Sequence, residues 1–278
     1  ILSGLVGSEM CIRDRLYGGA MVIIVSLVAS EYQTGLFVTS ARVMEVAVGL
    51  PGLVISLALP VLSVAGETDH DRLRRALTSM IELGLVLSSL IAISIALSAT
   101  GIVRLIGGPA FADAAPILQI QAFAIIGVFV SLTLQNALVS LRRQQSLILT
   151  NAVALCAVLA FGVGFVTLFG GIGGAIAVLA AEAVFVAILT LVLRRDAPHV
   201  LPNARHVWKP AACLAVAAST SILPIASPWL GAIVGACAFL AVAAIIRAVP
   251  GEALLALGSP LLGEHRVRNA LRRYYGMA

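Results

Sequence analysis

Arg42 and Glu45 are the residues whose type and spacing most directly offer chemistry. They stand three apart inside an apolar run, so a helix carries them on one face, about one turn from each other. A guanidinium is a rigid fork of N–H donors that matches phosphate oxygens, which makes Arg42 a candidate ligand for a phosphate or pyrophosphate group. Glu45 could orient that fork, or sense a proton or cation. The competing reading is an intramembrane ion pair that fixes helix packing, and the residues alone weigh the two evenly. Two more carboxylates fall in apolar runs and are read as coupling or packing residues. Glu82 lies near the end of its run, where it could snorkel. Glu182 is flanked by Ala180, Ala181 and Ala183, small residues that permit close helix approach and favour interhelical hydrogen bonding. Gln119, Gln121, Gln135, Asn136 and Asn151 read as polar glue between helices rather than as ligands.

Catalytic chemistry has no comparable candidate, and no enzyme is expected. The chain contains no H-E-x-x-H, no G-x-S-x-G, no phosphate-cradling G-x-x-x-x-G-K-[ST] loop and no G-x-G-x-x-G in a βαβ setting. Asp69, Asp71, Asp113 and Asp196 fall in connections and Asp14 lies near the start, so no apolar run holds an aspartate. Cys156, Cys213 and Cys237 sit in apolar runs as small hydrophobes, and with Cys11 they form no C-x-x-C. No metal site and no cofactor is expected.

The elements that must position these residues follow from composition. The 278 residues are 60% hydrophobic and 11% charged, with a mean hydropathy of +1.07. A soluble domain carries about 25% charged residues. With less than half of that, the chain cannot cover a water-facing surface, and lipid must be its solvent. Aromatics make up only 5%, which suits helices and not a membrane β-barrel with its aromatic girdles. Inside a bilayer a helix satisfies its own backbone amides. The expected fold is therefore all-α, a polytopic membrane bundle of about eight helices. The apolar runs are 16–29, 36–62, 76–98, 117–141, 146–169, 172–193, 210–225 and 229–246. Pro51 and Pro60 interrupt the second run, as a kink or as a broken helix beside a cavity.

Basic residues set the orientation. Arg72, Arg74 and Arg75, then Arg142 and Arg143, then Arg194, Arg195, Arg205 and Lys209, then Arg247, Arg266, Arg268, Arg272 and Arg273 occupy alternate connections. Of the 18 basic residues only Arg13, Arg15, Arg42 and Arg104 lie elsewhere. A net charge of +5 in such a chain marks cytoplasmic loops, not nucleic-acid binding. Both ends of the visible chain are expected in the cytoplasm. Thr68 to Asp71 looks like a helix N-cap that leads the arginines into the third span. The 249–278 tail places Val267, Ala270, Leu271, Tyr274 and Tyr275 at helical spacing among arginines, the pattern of an amphipathic helix on anionic lipid. Residues 1–15 (ILSGLVGSEMCIRDR) fit nothing that follows. They resemble translated sequencing-adapter DNA and are read as a non-native leader.

Four passages carry a family resemblance. TGLFVTSARVME (34–45) is similar to a short outer turn followed by a Gly-aromatic helix start. LPVLSVAGETDHDRLRR (59–75) is similar to a helix-ending proline with a basic cytoplasmic connection. IVRLIGGPAFADAAPIL (102–118) is similar to an outer Gly-x-x-F-x-x-A segment. GGIGGAIAVLAAE (170–182) is similar to a Gly-rich turn into a helix. Together they resemble the C-terminal half of a polysaccharide or lipid-linked oligosaccharide flippase. That superfamily also holds MATE-type multidrug exporters and lipid II flippases. The resemblance implies a second six-helix lobe (16–194), a cytoplasmic loop (195–209), two additional helices (210–248), and an N-terminal lobe missing from the chain. It also implies that the first two helices line a central cavity, with Arg42 and Glu45 on its wall. The function implied is transport of a lipid-linked glycan across the bacterial inner membrane by alternating access. The alternatives are a multidrug or cation antiporter on the same fold and, further off, a membrane glycan polymerase or ligase. The last would need a larger outer loop than 99–116.

Overall fold

The computed structural model describes residues 18–68, 70–141, 143–198, 208–219 and 227–246. Among them there is no strand. The helices are α1 (Gly18–Val28), α2 (Glu31–Thr68), α3 (His70–Gly107), a 3₁₀ segment (Pro109–Ala114), α4 (Ala115–Ala122), α5 (Ala124–Ser140), α6 (Gln144–Asp196), α7 (Trp208–Ser219) and α8 (Pro228–Ile245). The chain is an all-α membrane helix bundle. The 1–15 leader, the 249–278 tail, most of the 195–209 loop and residues 220–226 lie outside the described residues.

The helix limits follow local chemistry. Pro116 and Pro228 stand in the first turns of α4 and α8, where a missing N–H breaks no helix bond. The fourth apolar run is not one uniform helix. At Phe123 the chain tightens into a 3₁₀ turn, with Phe123 N–H to Ile120 O at 3.3 Å and Ile126 N–H to Phe123 O at 3.2 Å. Pro51 and Pro60 do not break α2, which runs through both. Membrane helices tolerate proline because neighbouring groups re-satisfy the backbone. α2 ends at Thr68 and α3 begins at His70, so Thr68 is part of α2; the capping side chains of the 68–71 pattern lie outside the described ones.

α6 is two helices folded back on each other. Its 53 residues are helical except Gly170, at φ 59 and ψ −134, close to the first central position of a mirror-image type II turn, where glycine is favoured. The Oγ of Ser146, in the first turn, donates to Oδ2 of Asp196, in the last, at 3.1 Å. A straight helix would hold these two about 75 Å apart. The arms meet without spacers: a Cβ on Gly173 would lie 1.9 Å from the Phe165 carbonyl oxygen. From Gly171 to Leu193 the returning arm rises about 34 Å, one hydrocarbon core.

Two cores stack along this axis. At the Gly170 end, α1, the start of α2, the end of α3, α4 and the Gly-rich part of α6 bury Met21, Val25, Phe37, Val103, Ile117 and Val166. At the other end, Leu73, Leu77, Leu138, Leu147, Leu189 and Leu193 pack together. Arg74, Arg143, Arg194 and Arg195 stand exposed around that second core. α7 and α8 dock on the flank of α3, where Cys213 and Phe239 meet Val86 and Ile93.

Gly170→Val should cost about 1–3 kcal/mol in backbone strain alone, because its φ is 59, and its side chain would also strike Gln33. Gly164 has open space around the same construction, so Gly164→Ala should be neutral or stabilising by up to about 1 kcal/mol. Thermal unfolding in detergent checks the pair.

Candidate functional site

Three consecutive residues at the start of α2 tie it to α1, to the 3₁₀ segment and to the α6 turn at the Gly170 end. Tyr32 donates its hydroxyl to Oδ2 of Asp113, in the 3₁₀ segment, at 2.8 Å. The Asp113 carboxylate, as acceptor of that proton, holds the Tyr32 phenol above its ordinary value. Gln33 Oε1 accepts the N–H of Gly171 at 3.0 Å, so the side chain satisfies an amide at the α6 turn. Thr34 Oγ1 lies 3.0 Å from the Ser30 carbonyl and 3.3 Å from that of Val25, the last turn of α1. Passages 34–45, 102–118 and 170–182, read separately in the sequence, thus meet at one end of the bundle.

This clasp sets the depth of Arg42 and Glu45. Counting from Gln33 at the level of the turn, the two lie about 14 and 18 Å further down the helix. Measured from the Gly170 turn, that is about half the length of the returning arm of α6, which rises about 34 Å. There they form an ion pair, Arg42 Nη1 to Glu45 Oε2 at 2.9 Å, with side chains 69% and 65% exposed. Val46 beside them is 77% exposed.

Glu182 has the opposite surroundings. It is buried, and Ser131 Oγ on α5 lies 2.5 Å from its Oε1. Gly127, one turn before Ser131, makes the room: a Cβ there would come within 2.6 Å of Glu182 Cγ. Interhelical bonding, the favoured reading of this residue, is what the geometry shows. Glu82 is half-buried on α3. Arg42 and Glu45 on α2, Glu82 on α3 and Glu182 on α6 therefore stand on three different elements. Gln119 bridges helices, its Nε2 donating to Ala96 O at 3.3 Å. Gln135 and Asn136 are buried, but their amides bond carbonyls of their own helix, Ser131 and Leu132, at 3.2 and 2.8 Å. The expectation that they glue helices together is corrected in these two cases. A side-chain amide can reach the carbonyl one turn back, which satisfies it without a neighbour. Among the described residues no group of three or more His, Cys, Asp or Glu side chains could hold a metal ion.

No family model matches the chain, and no curated protein matches it in sequence. Among solved structures it matches the lipid II flippase MurJ in its inward closed conformation, at a TM-score of 0.69 over 83% of this chain. The fold is MurJ-like. At 13% identity the likeness is one of fold, and the chain spans 51% of the MurJ chain.

Within this MurJ-like fold, sequence reasoning missed Ser131, Tyr32, Gln33 and Asp113. Gly127 and Ser131 form a small-x-x-x-small pair on α5, a signal of close helix approach that pointed at the partner of Glu182. The clasp had no such signal, since Tyr32 and Asp113 are 81 residues apart.

An exposed ion pair contributes little to stability, about 0–1 kcal/mol. Glu45→Ala should therefore leave the thermal midpoint in detergent almost unchanged. A large loss would mean that the pair holds helices together.

Proposed function

We propose that the chain is one lobe of a membrane transporter that flips a lipid-linked oligosaccharide or polysaccharide precursor across the inner membrane by alternating access. The observation that carries this reading is the Arg42–Glu45 pair, exposed about half-way along the bundle, which we take as mid-membrane depth. Charges at the centre of a bilayer are costly, so such residues face a bundle interior or a water-filled cavity rather than lipid. That face of α2 would then border an aqueous path, completed by a second lobe. The MurJ-like fold supports the reading, because the protein that shares it is a lipid II flippase. The lobe proposed as partner is the N-terminal half of the same protein.

In this proposal Arg42 takes the phosphate or pyrophosphate of the lipid carrier through charge-assisted bonds, exchanging Glu45 for phosphate oxygens. Glu45 holds the guanidinium in place while the site is empty. The Arg-rich end, where Arg74, Arg143, Arg194 and Arg195 are exposed, lies in the cytoplasmic leaflet and meets anionic headgroups. A cation antiporter on the same fold would use Glu45 as its ligand and need no Arg42.

Arg42→Ala in cells making the full-length protein should lower export of the lipid-linked glycan at least tenfold at equal membrane abundance. Arg42→Lys should retain part of it, since lysine keeps the charge and loses the fork. Unchanged export in Arg42→Ala would overturn the assignment. Loss of cation transport in Glu45→Gln, with glycan export intact, would favour the antiporter.

A further inference from the structure

Arg104 and Trp229 stand together at the Gly170 end, and the transport reading uses neither. A Cβ on Gly107 would come 2.8 Å from Phe111, and one on Gly35 would come 3.6 Å from the same ring. The end of α3 is therefore level with the start of α2, and through Gln33 with the α6 turn. Arg104 is three residues before Gly107, about 4.5 Å along the helix. Its side chain is exposed. At the turn of a membrane hairpin, an exposed guanidinium is at the height of lipid headgroups.

Trp229, in the first turn of α8, packs one turn below it. A Cβ on Gly101 would lie 3.0 Å from the indole ring and 3.3 Å from its Nε1. Gly101 and Arg104 are three apart on α3 and share a face. The indole is 47% exposed, so it meets lipid as well as α3, and Ile233, one turn further along α8, is 59% exposed. An arginine thus stands above an aromatic and apolar surface at the seam of α3 and α8.

Both polar groups are donors in need of an acceptor. Among the described residues, the Arg104 side chain makes no hydrogen bond or ion pair and the Trp229 N–H has no acceptor. Asp113, an acid at this end, accepts the Tyr32 hydroxyl. Residues 220–226, which lead into α8, contain no acid. Guanidinium and indole can only donate, so what completes them is an anion. A phosphate matches the guanidinium fork.

We infer that Arg104 and Trp229 form a site for the phosphate of an anionic lipid headgroup, in the leaflet at the Gly170 end. The guanidinium takes the phosphate oxygens, the indole N–H adds a donor, and the ring with Ile233 carries an acyl chain. The inference goes beyond the transport reading and does not depend on it.

Trp229 fluorescence tests this directly. The chain holds two tryptophans, so Trp208→Phe leaves Trp229 as the sole indole. The full chain is placed in phosphatidylcholine vesicles containing phosphatidylglycerol, with one or the other lipid brominated near its headgroup, because bromine quenches only an adjacent indole. Brominated phosphatidylglycerol should quench at mole fractions about fivefold lower than brominated phosphatidylcholine, and Arg104→Ala should erase the difference. Equal quenching by the two lipids, or a preference that survives Arg104→Ala, overturns the inference. So does a preference abolished by inorganic phosphate at matched ionic strength, which would make the ligand a free anion. Should Trp208→Phe fail to fold, wild type against Arg104→Ala decides. A phosphatidylglycerol preference lost in the variant supports the site, and an unchanged one refutes it.

Discussion

At Gly170 the backbone turns at φ 59, and the space where a side chain would begin is filled by Gln33. The same amide side chain accepts the N–H of Gly171. The constraint beneath this contact is that hydrocarbon leaves no water to satisfy a turning backbone. A reversal at the end of a membrane hairpin must therefore be both free of side chains and supplied with a partner. Meeting both conditions fixes how deep α2 stands against α6. Tyr32 and Thr34 extend the constraint to the 3₁₀ segment and to α1. The Gly170-end core, with Phe37 against Gly174, follows from that register.

The register gives the charged residues their meaning. Arg42 and Glu45 stand about half-way along the bundle, and most of their surface is uncovered. Glu182 stands at a similar depth and is covered, with a serine as hydrogen-bond partner. One depth thus holds two electrostatic solutions. A charged pair is open toward whatever lies beside α2, and a carboxyl is sealed inside the helix seam. The proposed transport reading has use for both, with substrate entering the first site and leaving the second undisturbed.

Much of this was legible in the sequence. Apolar runs locate the spans because a segment in lipid has few alternatives to a helix, and the glycines at 170–174 mark the reversal between two of them. The pairing of Arg42 with Glu45 follows from helical spacing alone. The depth of that pair was not legible, because it is set by Gln33 meeting Gly171 across 138 residues. Nor was the partner of Glu182, although Gly127 and Ser131 carry the pattern of a close approach. Gln135 and Asn136 show why composition misleads at this level. A buried amide and a bridging amide look alike in sequence, and only the rotamer separates them. The resemblance to flippases anticipated the MurJ-like fold from four passages, three of which share one end of the bundle.

The central claim is that the face of α2 beside Arg42 borders water at mid-membrane depth. The most direct measurement is labelling of a Val46→Cys variant, with the native cysteines replaced, by a charged maleimide in intact membranes. Leu159→Cys, on the first arm of α6 and 45% exposed, serves as the comparison at similar depth. Maleimides need a thiolate and therefore water at the sulfur. The account predicts that Val46→Cys labels at least tenfold faster than Leu159→Cys, and that labelling slows when lipid-linked substrate is present. Equal, slow labelling at both positions would mean that this face meets lipid, and the transport reading of Arg42 would be contradicted.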